Sequence, residues 1–299
     1  MAPAAKSTLH TMLGNYANVA PLKSGTIHSD LVDFDFAEVK VANTLFKQVV
    51  REAKYDLAEL AIVTYLQAKS FNKPYVLIPA VVVSRGQHHT IAYNAERGTL
   101  KPSELAGKRV GVRAYTVTTG TWVRGILAQE YGVDLDKVEW ITFEDPHVVE
   151  YRDPDVVKRA PAGKELVQML LDGELDAAIV GDKLPDPRLK HLIPDAEEAA
   201  RQWAERHHGV PINHMLVVRS EISRTRPDVV REIFRLFHDS KRAAGLADGG
   251  ALDPYRFGVE ACRADLDIII DFCVRQKLIP RPISVDELFD DTTRALKVS

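Results

Sequence analysis

Only two cysteines, Cys262 and Cys273, occur in 299 residues, too few for a disulfide framework or a thiolate metal site. They stand about three turns apart in an apolar helical pattern, beyond the reach of a disulfide within one helix. No apolar run approaches the ~18 residues that a membrane-spanning helix needs. The opening stretch from Met1 to Gly14 lacks an apolar segment followed by small residues at a cleavage site. Export is therefore not expected, and a cytoplasmic location is. An excess of charge is missing too: 39 Lys plus Arg stand against 42 Asp plus Glu, for a formal net charge of -3. Such a balance provides no bulk positive field for nucleic acid or an anionic membrane. Absent as well are Gly-x-x-x-x-Gly-Lys-Ser/Thr, Gly-x-Gly-x-x-Gly, Gly-x-Ser-x-Gly and His-Glu-x-x-His, the usual signs of nucleotide cofactors, a serine nucleophile and zinc. The pairs His88-His89 and His207-His208 are adjacent, without the i, i+4 spacing of helical metal ligands. No cofactor and no resident metal are expected.

What is present is a chain with 45% apolar and 27% charged residues, long enough for two lobes. The pattern predicts a strand from Tyr55, a helix to about Ser70, a buried strand over Tyr75 to Val83 and another over Thr90 to Tyr93. After a helical turn at 101–107 come a strand at 108–113, an amphipathic helix from Thr118 to Tyr131 and a strand at 138–142. A helix at 163–172 and a strand at 176–180 follow. This βαβαβ order is the signature of a parallel sheet. The stretch from Phe143 to Pro161, with three prolines and five acidic residues, reads as a loop bordering a cleft. Beyond it, a helix at 196–207 and a returning strand at 212–219 are expected. Helices from Arg226 and over 253–277 follow, and a last short helix is opened by the capping-box spacing of Ser284 and Glu287. The fold class is α/β, with residues 1–95 and 211–299 forming one lobe and 96–210 the other. The apolar face over Ala261 to Lys277 is assigned to the core first, leaving a homodimer open.

Four segments carry a resemblance: Tyr55-Asp-Leu-Ala-Glu-Leu, Gly107-Lys-Arg-Val-Gly-Val, Trp122-Val-Arg-Gly-Ile-Leu-Ala-Gln-Glu-Tyr-Gly-Val and Leu170-Leu-Asp-Gly-Glu-Leu-Asp-Ala-Ala. In this order they resemble the 4,5-dihydroxyphthalate decarboxylase family, over roughly residues 38 to 240. The resemblance implies a two-lobed fold like that of type II periplasmic binding proteins, with two crossings and a ligand in the central cleft. It also implies loss of carbon dioxide from a hydroxylated aromatic acid, giving protocatechuate in the family case.

That chemistry needs cations for the carboxylates, a base for the phenol and an acid for the ring carbon. Arg85, His88 and His89 follow the strand ending at Val83, at the carboxyl end where ligands collect in open α/β sheets. Strand alternation would turn the two histidines to opposite faces, so one at most points to substrate. Arg113, Tyr115, Thr118, Thr119, Trp122 and Arg124 span a strand end and a helix start, where backbone N–H groups favour a carboxylate. In this set the threonines serve as caps or donors, Trp122 as a stacking surface, and Arg124 as a substrate contact or a structural tie. Glu59, after the first strand, is a base or a cap. Asp182, beyond the strand at 177–180, is a cleft residue or a turn former. His214, in the returning strand, is a core histidine or the proton carrier. The first reading thus has Arg85 and Arg113 holding carboxylates, with His88 beside them, His89 or His214 moving the proton, and Glu59 or Asp182 orienting it. The rival is a solute-binding protein or sensor that holds a small carboxylate without chemistry.

Overall fold

The computed structural model describes residues 6–246 and 250–298. Residues 1–5, part of the opening on which the export reading rests, lie outside the described residues. In chain order the strands are β1 (Ser7–Met12), β2 (Val32–Phe36), β3 (Leu57–Ala61), β4 (Tyr75–Ser84), β5 (Ile91–Asn94) and β6 (Arg109–Val112). They continue as β7 (Glu139–Thr142), β8 (Val157–Arg159), β9 (Ala177–Ile179), β10 (Leu189–His191) and β11 (Ile212–Arg219). The helices are α1 (Ala20–Lys23), α2 (Phe46–Glu52), α3 (Ile62–Ser70), α4 (Thr118–Tyr131) and α5 (Leu166–Asp172). After them come α6 (Ala196–His207), α7 (Ser220–Thr225), α8 (Pro227–Ala243), α9 (Val259–Arg275) and α10 (Asp291–Arg294).

The strands form two sheets, one ordered β2-β1-β3-β11-β4 and the other β10-β5-β9-β6-β7-β8. The chain crosses from the first sheet to the second between Ser84 and Ile91 and returns ahead of Ile212. This is the expected two-lobed α/β architecture. Its internal division differs from the expected one at one point. Residues 91–94 pair with β9 and β10, so they belong to the second sheet although they fall before residue 96. Helix α9, assigned with the first lobe, packs on α3 and β4 of that lobe and also on α4 of the second. The reason is a close approach: a Cβ on Gly125 of α4 would lie 2.0 Å from Phe272 Cδ2, so only glycine admits the ring. With Cys262, Leu266, Ile269 and Cys273 also buried, α9 spends its apolar face in the core, and both cysteines are free thiols.

Strand β3 is buried along its whole length between β1 and β11, which is why its sequence is nearly all apolar. Glu59 is the one exception. Strand β4 carries Pro79, which has no N–H to give a ladder, and the pairing with β11 slips there. Leu216 faces Ile78, Met215 faces Val81 and His214 faces Val83, so the ladder is irregular over the start of β11. Bulges of this kind re-aim side chains beside functional sites. One apolar cluster runs from Met12, Phe46 and Leu60 in the first lobe through Trp122, Trp203 and Phe272 to Val110 and Val112 in the second. A separate layer under α8 covers the other face of the first sheet. Among the described residues no helix is long and apolar enough to cross a membrane.

Candidate active site

The cleft holds a cavity of about 380 Å³ whose wall includes Tyr16, Phe46, Arg85, Arg113, Thr118, Thr119, His147, Asp182, Asn213 and His214. Topology explains the set. Arg85 follows the end of β4 and Arg113 the end of β6, so both guanidinium groups emerge at carboxyl ends of strands and line one crevice. The N-termini of α3 and α4 open on the same space, and they are linked across it: Thr118 Oγ1 accepts the Val63 N–H at 3.2 Å. Thr118 is thus a cap for the opposite lobe's helix. Thr119 Oγ1 accepts a 3.4 Å bond from Asn213 Nδ2. Two helix N-termini with two arginines make a strongly anion-seeking pocket.

Each arginine is paired with an acid at the rim. Arg85 Nε lies 2.7 Å from Asp182 Oδ1, a charge contact in which the N–H is not aimed at the carboxylate. Arg113 donates to Glu144 Oε2 at 3.0 Å. A guanidinium carries five N–H donors, so each retains donors for a ligand carboxylate.

Behind this rim lies the most unusual group. Glu59 is fully buried, its Oε1 accepting from the Gly14 N–H at 3.1 Å and from the Tyr16 hydroxyl at 3.0 Å. Burial, with the Glu59 charge beside it, drives the Tyr16 phenol far above its ordinary range, so it remains a protonated donor. The other carboxylate oxygen, Oε2, has no hydrogen-bond partner, and neither has His214 Nδ1, 3.8 Å away. These two sealed, unsatisfied atoms face each other. Glu59 lies within β3 rather than after it, because the strand runs on to Ala61. Its neighbour His214 reaches the cavity from the irregular start of β11.

Several residues expected at the site lie elsewhere. His88 is in the core, where burial, together with the charges of Arg206 and His89, lowers its pKa to about 4. His89 faces a neighbouring hollow with His191 and Asp195, its Nε2 3.4 Å from Asp182 Oδ1. The residues His88–Thr90 form a single 3-10 turn against α4 and α6, so neither histidine lines the cavity. Trp122 is no stacking surface: it is fully buried, donating Nε1–H to the Ile212 carbonyl at 2.8 Å and packing edge-on to Phe272. Arg124 is equally buried, bonding Gln276 Oε1 at 2.7 Å, with its guanidinium 3.9 Å over the Tyr115 ring. Tyr115 is buried beneath it. This trio ties α4 to α9 and to the returning chain, and it does not line the cavity.

Conversely, the structure adds Tyr16, Phe46, His147 and Asn213 to the wall. His147 comes from the Pro-rich stretch read as a cleft-bordering loop, and its Nδ1 is 2.8 Å from Thr64 Oγ1 on α3. Asn213 would be turned away from His214 by strict strand alternation, and the bulge defeats that rule. Tyr16 precedes the region of resemblance and carried no periodic signal.

No family model matches the chain. Two curated relatives do. A 4,5-dihydroxyphthalate decarboxylase of Comamonas testosteroni is 32% identical over 253 residues, 80% of this chain and 76% of the relative. One of Pseudomonas putida is 32% identical over 213 residues, 66% of this chain and 81% of the relative. Among solved structures, the alkanesulfonate-binding protein SsuA from Xanthomonas axonopodis pv. citri superposes with a TM-score of 0.62. That match has 12% identity and covers 97% of this chain and 99% of SsuA, a likeness of fold alone. By these two relatives the chain belongs to the 4,5-dihydroxyphthalate decarboxylase family, carboxy-lyases by name.

Proposed function

We propose that the protein removes carbon dioxide from a hydroxylated aromatic dicarboxylate, with 4,5-dihydroxyphthalate as the reference substrate, in the cytoplasm and without a cofactor. The observation that carries this reading is the Glu59–His214 couple beside two cavity arginines. Arg85 and Arg113 bind the two carboxylates, displacing Asp182 and Glu144 as partners. Catalytic hydrogen bonds are often long before substrate arrives and tighten around it. Closing the 3.8 Å gap joins Glu59 Oε2 to His214 Nδ1–H and leaves Nε2 of the imidazolium for the ring.

In the reaction, the hydroxyl para to the leaving carboxylate gives its proton to solvent, and electron density rises at the carbon bearing that carboxylate. His214 gives the Nε2 proton to this carbon. The carbon–carboxylate bond then breaks, carbon dioxide departs, and the bonding pair restores the aromatic ring. The phenolate and His214 each regain a proton, so one proton is consumed per carbon dioxide released. Glu59 stabilises the charged imidazole and fixes its orientation, as a buried carboxylate behind a histidine does elsewhere. A protein that only binds an anion needs charge and donors, and has no use for a carboxylate buried behind a cavity imidazole.

The test is incubation of the purified protein with 4,5-dihydroxyphthalate, 4-hydroxyphthalate and phthalate, with carbon dioxide and aromatic product measured together. Turnover of a hydroxylated member is expected, with His214→Asn and Glu59→Gln losing kcat far more than binding. Tight binding of the panel with no carbon dioxide from the wild-type protein would instead establish the binding-only alternative.

A further inference from the structure

The reaction proposed above places negative charge on a hydroxyl oxygen, and a group must meet it. The two cavity imidazoles are candidates with opposite surroundings. Both stand edge-on to Phe46, His147 at 5.6 Å and His214 at 5.2 Å between ring centres. His214 faces the Glu59 carboxylate. His147 faces cations instead, with Arg113, Lys47, Arg51 and His214 all acting on it, while the nearby acid Glu144 is engaged on Arg113. Burial, followed by these charges, lowers the His147 pKa to about 3, so the ring stays neutral at working pH. Two imidazoles on one cavity wall with a carboxylate facing one and cations around the other are suited to divided roles.

The tautomer follows from hydrogen-bond accounting. Thr64 is buried, and the partner of its hydroxyl is His147 Nδ1 at 2.8 Å. A buried hydroxyl hydrogen left without an acceptor costs about 1–3 kcal/mol, so the hydroxyl donates to Nδ1. A neutral ring that accepts at Nδ1 carries its hydrogen on Nε2. That nitrogen has no partner among the described residues and is not sealed from the cavity, whose wall the ring forms. The segment is held firmly: Arg51 donates to the carbonyls of His147 at 2.8 Å and Pro146 at 2.7 Å.

We propose that His147 is a second catalytic residue, a neutral imidazole whose Nε2–H donates to the substrate hydroxyl oxygen para to the leaving carboxylate. The proposal rests on the decarboxylase reading and gives it a specificity rule. The oxygen carries negative charge when the hydroxyl ionises and again as the carbon–carboxylate bond breaks and its electron pair returns through the ring, so this hydrogen bond strengthens in those steps and lowers their barriers rather than only the ground state. Because the donor is neutral, it is not titrated away between pH 5 and 9. An aromatic acid without that hydroxyl gains nothing from His147.

The experiment combines kinetics, binding and nitrogen-15 NMR of labelled histidine. His147→Ala is expected to lower kcat on 4,5-dihydroxyphthalate by about 10²-fold, the scale of one lost oxyanion donor. Its affinity for phthalate should remain at the wild-type value, while the wild-type preference for the dihydroxylated acid over phthalate disappears. His147→Gln, which keeps an N–H at similar reach, should recover part of kcat. The wild-type spectrum should show a neutral ring with hydrogen on Nε2 from pH 8 to pH 5, and Thr64→Val should shift the hydrogen toward Nδ1. An Nδ1-protonated or charged ring at pH 6 overturns the proposal, as does an unchanged kcat or an unchanged preference in His147→Ala. If the wild-type protein turns over no member of the panel, the decarboxylase reading fails. The tautomer and the preference for the hydroxylated acid then still decide, separately, whether His147 recognises the hydroxyl.

Discussion

Acidification should destabilise this protein through two buried imidazoles, and the share of one of them can be isolated. His88 is in the core with Nδ1 sealed and without a partner, and its pKa is lowered from 6.5 to about 4. A histidine with a depressed folded pKa favours the native state only while neutral. Its contribution is therefore whole above pH 6.5, and it is lost as pH falls toward 4, because the unfolded chain takes up the proton first. At pH 4.5 the difference between the two states amounts to about 2–3 kcal/mol for His88. His147, lowered to about 3, adds roughly the same amount. The measurement is urea unfolding of the wild type and of His88→Leu at pH 7.5 and 4.5. Carboxylates contribute equally to both proteins and cancel in the comparison, so the variant should lose about 2–3 kcal/mol less on acidification. Identical losses in the two proteins would mean that His88 is solvated, and the assignment of this residue to the core rather than to the site would fall with it.

Three further expectations concern the cleft and its frame. Arg85→Ala and Arg113→Ala should each lower kcat/KM by about 10- to 10²-fold, since a bidentate ionic contact contributes about 1.5–3 kcal/mol; steady-state kinetics with 4,5-dihydroxyphthalate reads this, and a loss in only one variant would assign carboxylate binding to that wall alone. Trp122→Phe removes the 2.8 Å bond to the Ile212 carbonyl but no cavity surface, so chemical denaturation should show a loss of about 1 kcal/mol or more with KM unchanged. Gly125→Ala forces a methyl group into the Phe272 ring, and a drop of roughly 1–3 kcal/mol is expected from the same assay.

Patterns that depend on local periodicity were readable in the chain. The Thr118–Tyr131 helix appears at its expected residues, and the β6-α4-β7 and α5-β9 succession follows the predicted order. The placement of Arg85 and Arg113 followed from topology, because strand ends converge wherever parallel sheets face a cleft. Short or irregular pieces were not readable. Strands β8 and β10 have three residues each, too few to alternate visibly. The fates of Trp122, Arg124 and Tyr115 depended on α9 docking against Gly125, a contact between segments far apart in the chain. His88 and His89 were misplaced because alternation was applied to a 3-10 turn. Asn213 and His214 share the cavity because the ladder with β4 shifts register between Ile212 and His214, opposite Val83 and Ser84, where strict alternation would have separated them.

The continuous apolar seam joining the two halves bears on how a substrate enters. Trp122, Trp203 and Phe272 all belong to it. Exposing three such rings, at about 200 Å² each and 25 cal/mol per Å², costs about 15 kcal/mol. A micromolar ligand returns about 8 kcal/mol on binding. Gaping from the back of the cleft is thus beyond what a metabolite's own affinity can drive. Traffic is left to the front, where a carboxylate has only to trade places with Asp182 on Arg85 and slip past the Thr118 hydroxyl. On the proposed reading the molecule works less like a jaw than like a turnstile, in which an arriving anion turns the gate by exchanging one salt link for another.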